Sequence, residues 1–335
     1  MKAVFFKEHG DISKLEYGEF PEPEVKPGWV KIKVGATSLN WLDISTRRGM
    51  PGIRTELPGI TGGDCAGEIS EIGADVSGWE VGQRVLLRPG YFSPEENVFD
   101  MMGETRPGAL AEYCTVRAKQ LTALPDDVSD EDASCLPIAY GTAHRMLFTR
   151  GQVQAGEKVL ILGASGGVGT ACVMLCKIAG AHVIAAASTD EKCQRLEKLG
   201  ADETINYTDV DFVKHIRETT GSLMRGGGCD VVINYSGGDS WAKSLRCVKR
   251  NGRLLTCGAT AGFEPTTDIR FIWTAEMNII GSNGWTLEDQ ETLVTMVRDG
   301  RLKPVIDKVM RLDEGIEACR MLEERRFFGK IVVKP

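Results

Sequence analysis

The chain has 335 residues, with 40 lysines and arginines against 47 aspartates and glutamates and a net charge of −7. That length predicts two domains with room for a large core, and an acidic chain without a basic block excludes nucleic acid as the expected partner. Ten cysteines lie scattered in apolar runs without C-x-x-C pairs, and only Ala3 to Phe6 separates Lys2 from Lys7, too short a run for a secretory leader, so reduced thiols and a cytoplasmic location are expected.

Residues 1–125 alternate short apolar strands (3–6, 30–34, 66–72, 84–87 and 111–116) with glycine and proline turns. Helical periods are scarce there, which predicts a β-rich, barrel-like domain. At Ser129 the texture changes. Ser129 and Asp132 stand at capping-box spacing before a helix, and a second helix through residues 140–148 follows.

The next stretch organises the remainder. An apolar run, Val159 to Leu162, enters Gly163-Ala164-Ser165-Gly166-Gly167-Val168-Gly169 and leaves as an apolar helix. Strand, small-residue turn and helix in this order form a dinucleotide site: side chains are absent where the backbone approaches a pyrophosphate, whose charge rests on the helix N-terminus. Residues 159–176 carry no charge, a length compatible with a membrane span, but four glycines inside them argue against one, and no membrane partner is expected. A second run, 182–187, and a helix ending at Gly200 complete the βαβ unit.

The end of that second strand selects the nucleotide. An acidic residue there ordinarily holds a free ribose hydroxyl, whereas this chain has Ala185, Ala186 and Ala187 followed by Ser188, Thr189 and Lys192. Hydroxyls and a cation suit a 2′-phosphate, which favours NADPH, although Asp190 remains able to reach a ribose. Strands at 203–207, 231–235, 253–257 and 278–282 then alternate with helices at 211–219 and 240–249, predicting a doubly wound parallel sheet. A helix at 287–299 and a terminal strand at 330–333 return to the first domain. The expected division is 1–127 with 284–335 as one domain and 128–283 as the other, the active site lying in the cleft between them.

The whole chain resembles the medium-chain dehydrogenase/reductase superfamily. The resemblance is carried by Gly59-Ile-Thr-Gly-Gly-Asp-Cys-Ala-Gly67, Val81-Gly-Gln-Arg-Val85, Pro107-Gly-Ala-Leu-Ala-Glu-Tyr113, the 163–169 turn, Leu199-Gly-Ala-Asp202, Gly252-Arg-Leu-Leu-Thr-Cys-Gly-Ala259 and Gly329-Lys-Ile-Val-Val333. It implies an α/β fold with a GroES-like β-rich catalytic domain enclosing a Rossmann domain. It also implies a small-molecule substrate and a homodimer or homotetramer joined through a strand like 278–282. By the same resemblance Thr142, Tyr207, Cys257, Gly258 and Lys330 join the turn and Lys192 as cofactor contacts.

The departures bear on chemistry. Zinc-dependent members carry cysteine, histidine and cysteine where this chain has Asn40, Gly63 and Ile138, and the four histidines offer no substitute spacing. The segment 86–104, where other members hold a structural zinc, contains no cysteine. Both metals are therefore expected absent. The zinc-free branches are NADPH-dependent quinone reductases and reductases of enones, enals and enoyl thioesters, and they share Asn40-x-x-Asp43. Residues 39–52 also resemble an acryloyl-CoA-type subgroup; Arg47 and Arg48 are candidates to meet a CoA phosphate, or else surface arginines that need no ligand.

The expected reaction is hydride transfer from NADPH to the β-carbon of a carbonyl-conjugated double bond, with a proton added at the α-carbon. Asn40 is a candidate donor to the substrate oxygen, or else the start of an ordered turn with Asp43; Asp43 is a further catalytic candidate, or else, like Asp64, a structural hydrogen-bonding group; Tyr140 is a candidate proton donor, or else core. Trp41, Asp64, Tyr91 and Trp285 are candidate pocket residues, though an aromatic in a β domain is more often core. Quinone reduction is the alternative, and a non-catalytic NADPH-binding protein is a further one.

Overall fold

The structure is a computed structural model that describes residues 1–93, 98–222 and 225–335. It divides into two compact units, Met1–Gly141 with Thr286–Pro335, and Thr142–Trp285.

The first unit grows from the strand Trp29–Ser38, in which Val30, Ile32, Val34 and Ala36 are buried while Lys31 and Lys33 turn away. That alternation is what a sheet with one buried face requires. The strand pairs antiparallel with Ala66–Ile72, with Tyr113–Arg117 and, through Val332 opposite Ser38, with the terminal strand Lys330–Lys334. Ile306–Arg311 adds beside Lys330–Lys334 as a parallel edge. The core between these strands gathers Val30, Ile32, Ile69, Val85, Leu87, Cys114 and Val116. The helix Asp130–Ser134 belongs to this unit as well, capped by the Ser129 hydroxyl and tied by the Asp130 carboxylate to Arg84 at 2.6 Å. These bonds move the division from the expected 127/128 to 141/142. The second boundary falls at 285/286, two residues beyond the expected one.

The second unit holds a six-stranded, all-parallel sheet in the order Glu203–Asn206, His182–Ala187, Lys158–Leu162, Cys229–Ile233, Val248–Thr256, Asn278–Gly281. Its inner strands read as continuous apolar runs because helices cover both faces. The order reverses between Lys158–Leu162 and Cys229–Ile233, and at such a switch point the carboxyl ends of two adjacent strands open a crevice. All ten cysteines are free thiols, nine of them buried. Among the described residues no helix is long and apolar enough to cross a membrane.

Candidate functional site

The residues expected to bind the cofactor lie along the carboxyl edge of the parallel sheet. Lys158–Leu162 ends in Gly163, whose φ of +69° is a backbone state that side chains oppose, and the Ala164 amide then donates to the Ala186 carbonyl at 2.9 Å. Ala164 thus stands where the fingerprint expects a glycine because Gly163, one residue earlier, makes the tight turn. Gly169 carries the other constraint. A Cβ there would lie 2.5 Å from the Ala164 backbone, so only glycine lets the helix Gly167–Ile178 approach the strand this closely. Ser165, Gly166, Gly167 and Val168 are half-buried above this floor, and no side chain caps the helix at Gly166. Open amides at a helix N-terminus, beneath which any larger residue at Gly169 would collide, form a cradle that fits a pyrophosphate.

At the end of His182–Ala187 the expected 2′-phosphate residues come together. The Tyr207 amide donates to the Ala187 carbonyl at 3.0 Å and the Thr208 hydroxyl reaches the Ser188 carbonyl at 3.4 Å, which sets Tyr207 beside Ser188. Thr189 caps Asp190–Lys198 by accepting from the Lys192 amide, so Thr189 and Lys192 share the same first turn. Asp190, the alternative ribose ligand, is instead held by the Asn206 amide at 2.8 Å. Further along the edge, Cys257 and Gly258 follow Val248–Thr256, and burial pushes the Cys257 thiol up to about 12, which keeps it neutral. The Thr142 hydroxyl makes no hydrogen bond with any described residue.

Sequence reasoning passed over Tyr235 and Asn234. The Tyr235 hydroxyl donates to the Gly163 carbonyl at 2.8 Å, and the Asn234 side-chain oxygen accepts from the amides of Ser236 and Gly237. The available signal was two polar residues closing an apolar parallel strand at the switch point.

In the first unit the expected catalytic residues form a closed polar cluster. Asp64, 0% exposed, accepts from the Ser38 hydroxyl at 2.7 Å, the Asn40 side-chain amide at 2.8 Å and the Ile138 backbone amide at 2.8 Å. The Lys330 ammonium reaches Asn40 Oδ1 at 2.6 Å, the Leu39 carbonyl at 2.8 Å and Asp64 Oδ2 at 3.2 Å. Asp43 accepts from the backbone amides of Asn40 at 2.7 Å and Gly62 at 2.8 Å, and burial lifts its carboxyl to about 6 despite those bonds.

The contacts of the other expected site residues follow from the same geometry. Asn40 uses both amide hydrogens on Ser38 and Asp64 and its oxygen on Lys330, so it orders the helix Trp41–Arg48 with Asp43 and holds no donor toward a substrate. Asp64 is interior for the same reason. Lys330, expected at the cofactor, is the buried ion-pair partner of Asp64. Tyr140 is 0% exposed and its hydroxyl accepts from the Val305 amide at 2.9 Å, which makes it core and not a proton donor. Arg47 and Arg48 both pair with Glu323, Arg47 at 2.6 Å. Trp41 leans on the Phe6, Ile44 and Leu322 core under the Arg325 guanidinium, while Tyr91 lies beneath Arg117 and Lys119, so the two rings do not share an apolar wall. Trp285 is half-buried at the end of the second unit.

The residues at the three zinc positions do not fit zinc. Asn40 is fully bonded, and neither Gly63 nor Ile138 has a donor side chain. The described residues contain no cluster of histidine, cysteine and carboxylate able to hold a metal. In the 86–104 segment the hairpin Gly90–Ser93 with Val98–Met101 replaces a cysteine lobe, and residues 94–97 lie outside the described residues.

A parallel sheet with a glycine cradle at its switch point, joined in one chain to an antiparallel β unit, defines a nicotinamide-dependent oxidoreductase. Residues 26–126 match the family described as alcohol dehydrogenase GroES-like domain, and 167–299 match zinc-binding dehydrogenase. The quinone oxidoreductase-like protein 2 of Bos taurus is 31% identical over 93% of this chain and 86% of its own length. The 2-methylene-furan-3-one reductase of Solanum lycopersicum is 32% identical over 100% and 79%. A solved NAD-dependent alcohol dehydrogenase superposes with a TM-score of 0.92 at 32% identity, each chain covered in full. The 2-octenoyl-CoA carboxylase reductase CinF, solved with NADP and 2-octenoyl-CoA, superposes with a TM-score of 0.86 at 28% identity, covering 99% of this chain and 87% of CinF. The chain belongs to the medium-chain dehydrogenase/reductase superfamily.

Proposed function

We propose that this chain is a zinc-independent, NADPH-dependent reductase of double bonds conjugated to a carbonyl, such as enones or enoyl thioesters. The observation that carries the proposal is the metal position, where Asn40, held by Asp64 and Lys330, stands with Gly63 and Ile138 in place of zinc ligands. Without a Lewis acid to polarise an alcohol or an isolated carbonyl, an acceptor already activated by conjugation is the one this site suits.

Bound NADPH supplies a hydride, which adds to the β-carbon while the α-carbon gains a proton. In this reading Ser165 to Val168 hold the pyrophosphate with backbone amides, and Ser188, Thr189, Lys192 and Tyr207 hold the 2′-phosphate. Thr142, Cys257 and Gly258 border the nicotinamide end, and the neutral Cys257 thiol brings no competing nucleophile there. Asn40 and Tyr140 being engaged in the interior, the proton comes from solvent. The edge strand Asn278–Gly281, with Ile279 39% exposed, is the proposed join of a homodimer or homotetramer.

Quinone reduction shares the same cofactor residues and draws support from the Bos taurus relative's name. Metal-free protein is assayed for NADPH oxidation with crotonyl-CoA, acryloyl-CoA, a small enone and a benzoquinone, then again with NADH and with chelator. Enone or enoyl turnover well above quinone turnover, insensitive to chelator, supports the proposal. Faster quinone turnover moves the assignment to the second reading, and tight NADPH binding without oxidation by any acceptor leaves a binding protein.

A further inference from the structure

One cavity of the second unit has electrostatics that the cofactor does not explain. It has a volume of about 500 Å³ and is lined by Arg145, Arg150, Thr256, Cys257, Ser282 and Asn283 together with two glycines. No carboxylate lines it, although acidic residues outnumber basic ones in the chain by 47 to 40. Arg145 is half-buried and makes no hydrogen bond or ion pair with any described residue. Arg150 donates its Nε to the Gly281 carbonyl at 3.0 Å, which fixes the side chain against the end of Asn278–Gly281 and leaves both terminal nitrogens without a carboxylate.

The backbone helps to bring the two cations together. Arg145–Arg150 is wound as a π-helix, closed by the Gly151 amide on the Met146 carbonyl at 2.8 Å. The wider turn places residues five apart nearer one side than a 3.6-residue turn does, and such segments are uncommon except where a site needs them. A Cβ on Gly151 would lie 2.7 Å from the Met146 carbonyl oxygen, so a glycine is what lets this turn close.

A second observation is independent of the charges. Ser282 is 8% exposed, its amide is bound to the Thr256 carbonyl at 2.9 Å, and its hydroxyl, fully enclosed, has no hydrogen-bond partner. A buried hydroxyl left unpaired costs stability unless a ligand or water completes it. Two uncompensated guanidinium groups and an orphaned hydroxyl on one cavity wall match the acceptor oxygens of a carboxylate or phosphate.

We infer that this cavity is an oxyanion subsite, and that the acceptor reduced by this chain is a small conjugated carbonyl compound bearing a carboxylate or phosphate group bound by Arg145, Arg150 and Ser282. The substrate part of the inference rests on the proposed reductase function, because Cys257 and Gly258 border both the cavity and the cofactor's assigned place. The subsite itself does not.

Calorimetric titration of inorganic phosphate and of succinate into protein saturated with NADP+ tests the subsite, and kinetics with a conjugated keto acid and its methyl ester test its use. Saturable anion binding that weakens about tenfold in Arg145→Met and measurably in Ser282→Ala is expected, the charge-assisted bond being the stronger of the two. Phosphate alone binding marks a phosphorylated acceptor, succinate alone a carboxylated one, and either supports the subsite. For the acceptors, the ratio of ester KM to acid KM falls about tenfold in Arg145→Met and recovers in part in Arg145→Lys. Should neither acceptor be reduced while anion binding still depends on Arg145, the subsite stands and the reductase reading fails. Should acceptors be reduced with an acid-to-ester ratio indifferent to Arg145, and anions bind equally well to wild type and Arg145→Met or to neither, the subsite is overturned and the reductase reading stands. Circular dichroism and thermal melts establish that each variant is folded.

Discussion

The Tyr235 hydroxyl donates to the Gly163 carbonyl across 2.8 Å and joins the turns that follow two neighbouring parallel strands. Gly163 is the residue whose positive φ starts the nucleotide turn, so its carbonyl direction sets where the following amides point. Burial pushes the Tyr235 phenol well above its ordinary value, which keeps the hydroxyl protonated, and thus a donor, throughout the neutral range. Tyr235→Phe leaves the carbonyl only the longer bond from the Gly166 amide at 3.3 Å, at a cost of about 1 kcal/mol. We expect NADPH to bind roughly fivefold more weakly by fluorescence titration, with the far-ultraviolet spectrum unchanged. An unaltered dissociation constant would detach Tyr235 from the cofactor site.

Cofactor choice is predicted to depend on Lys192. Ser188, Tyr207 and the first turn of Asp190–Lys198 meet at one strand end, with Asp190 drawn off by Asn206. Lys192→Ala removes a cation from the proposed 2′-phosphate position and touches nothing that distinguishes NADH. The ratio of NADH to NADPH dissociation constants should fall at least tenfold, almost wholly through weaker NADPH binding. A preference unchanged by the substitution refutes the assignment.

Lys330 is predicted to hold the first unit together. Its ammonium serves Asp64, Asn40 and the Leu39 carbonyl inside a region without water access, 2% exposed for the lysine and 0% for the aspartate. Lys330→Met leaves a buried carboxylate without a cation, a loss of about 3–5 kcal/mol. Lys330→Met with Asp64→Asn removes both charges and should recover part of it, since breaking such a pair costs more than replacing it. Equilibrium denaturation of the two variants measures the difference; equal losses would mean that the ion pair is not what matters there.

Local features were legible in the sequence and distant ones were not. The alternation of Val30, Lys31, Ile32 and Lys33 and the apolar runs at 159–162 and 183–187 declare strands because neighbouring residues carry the pattern. The glycine cradle is likewise readable, since Gly163, Gly166 and Gly169 act within one turn. Trp41–Arg48 was not readable as a helix because its buried face is Asp43, Ile44, Thr46 and Arg47, three of them polar, with Asp43 and Arg47 satisfied by partners distant in the chain. Asn40 and Lys330 show the same limit, being 290 positions apart and bonded at 2.6 Å. A motif position announces that a residue matters; its hydrogen-bond partners decide whether it faces a substrate or the core. The helix Gly315–Glu323, with Ala318, Cys319, Met321 and Leu322 buried, also escaped notice among its charged neighbours.

Asp43 offers a prediction in which the sign is decisive. Both its oxygens accept backbone amides, from Asn40 and Gly62, yet burial outweighs those bonds and lifts the carboxyl from 3.8 to about 6, with nearby Asp64 adding to the lift. An acid raised in the folded state favours folding while it is protonated, and the unfolded chain loses its proton first as pH rises. The contribution of Asp43 to stability is therefore full below pH 3.8 and is lost as pH climbs through 6, amounting to about 3 kcal/mol for a shift of this size. Asp43→Asn cannot ionise, and it cannot accept from both amides with its single oxygen, so it should be the weaker protein at pH 4. Between pH 4 and pH 7 the stability of wild type relative to the variant should fall by about 2–3 kcal/mol in urea denaturation. A gap that stays constant with pH would show that the Asp43 carboxyl titrates alike in the folded and unfolded chain. A gap that widens in favour of wild type would show that the two amide bonds, rather than burial, dominate its environment.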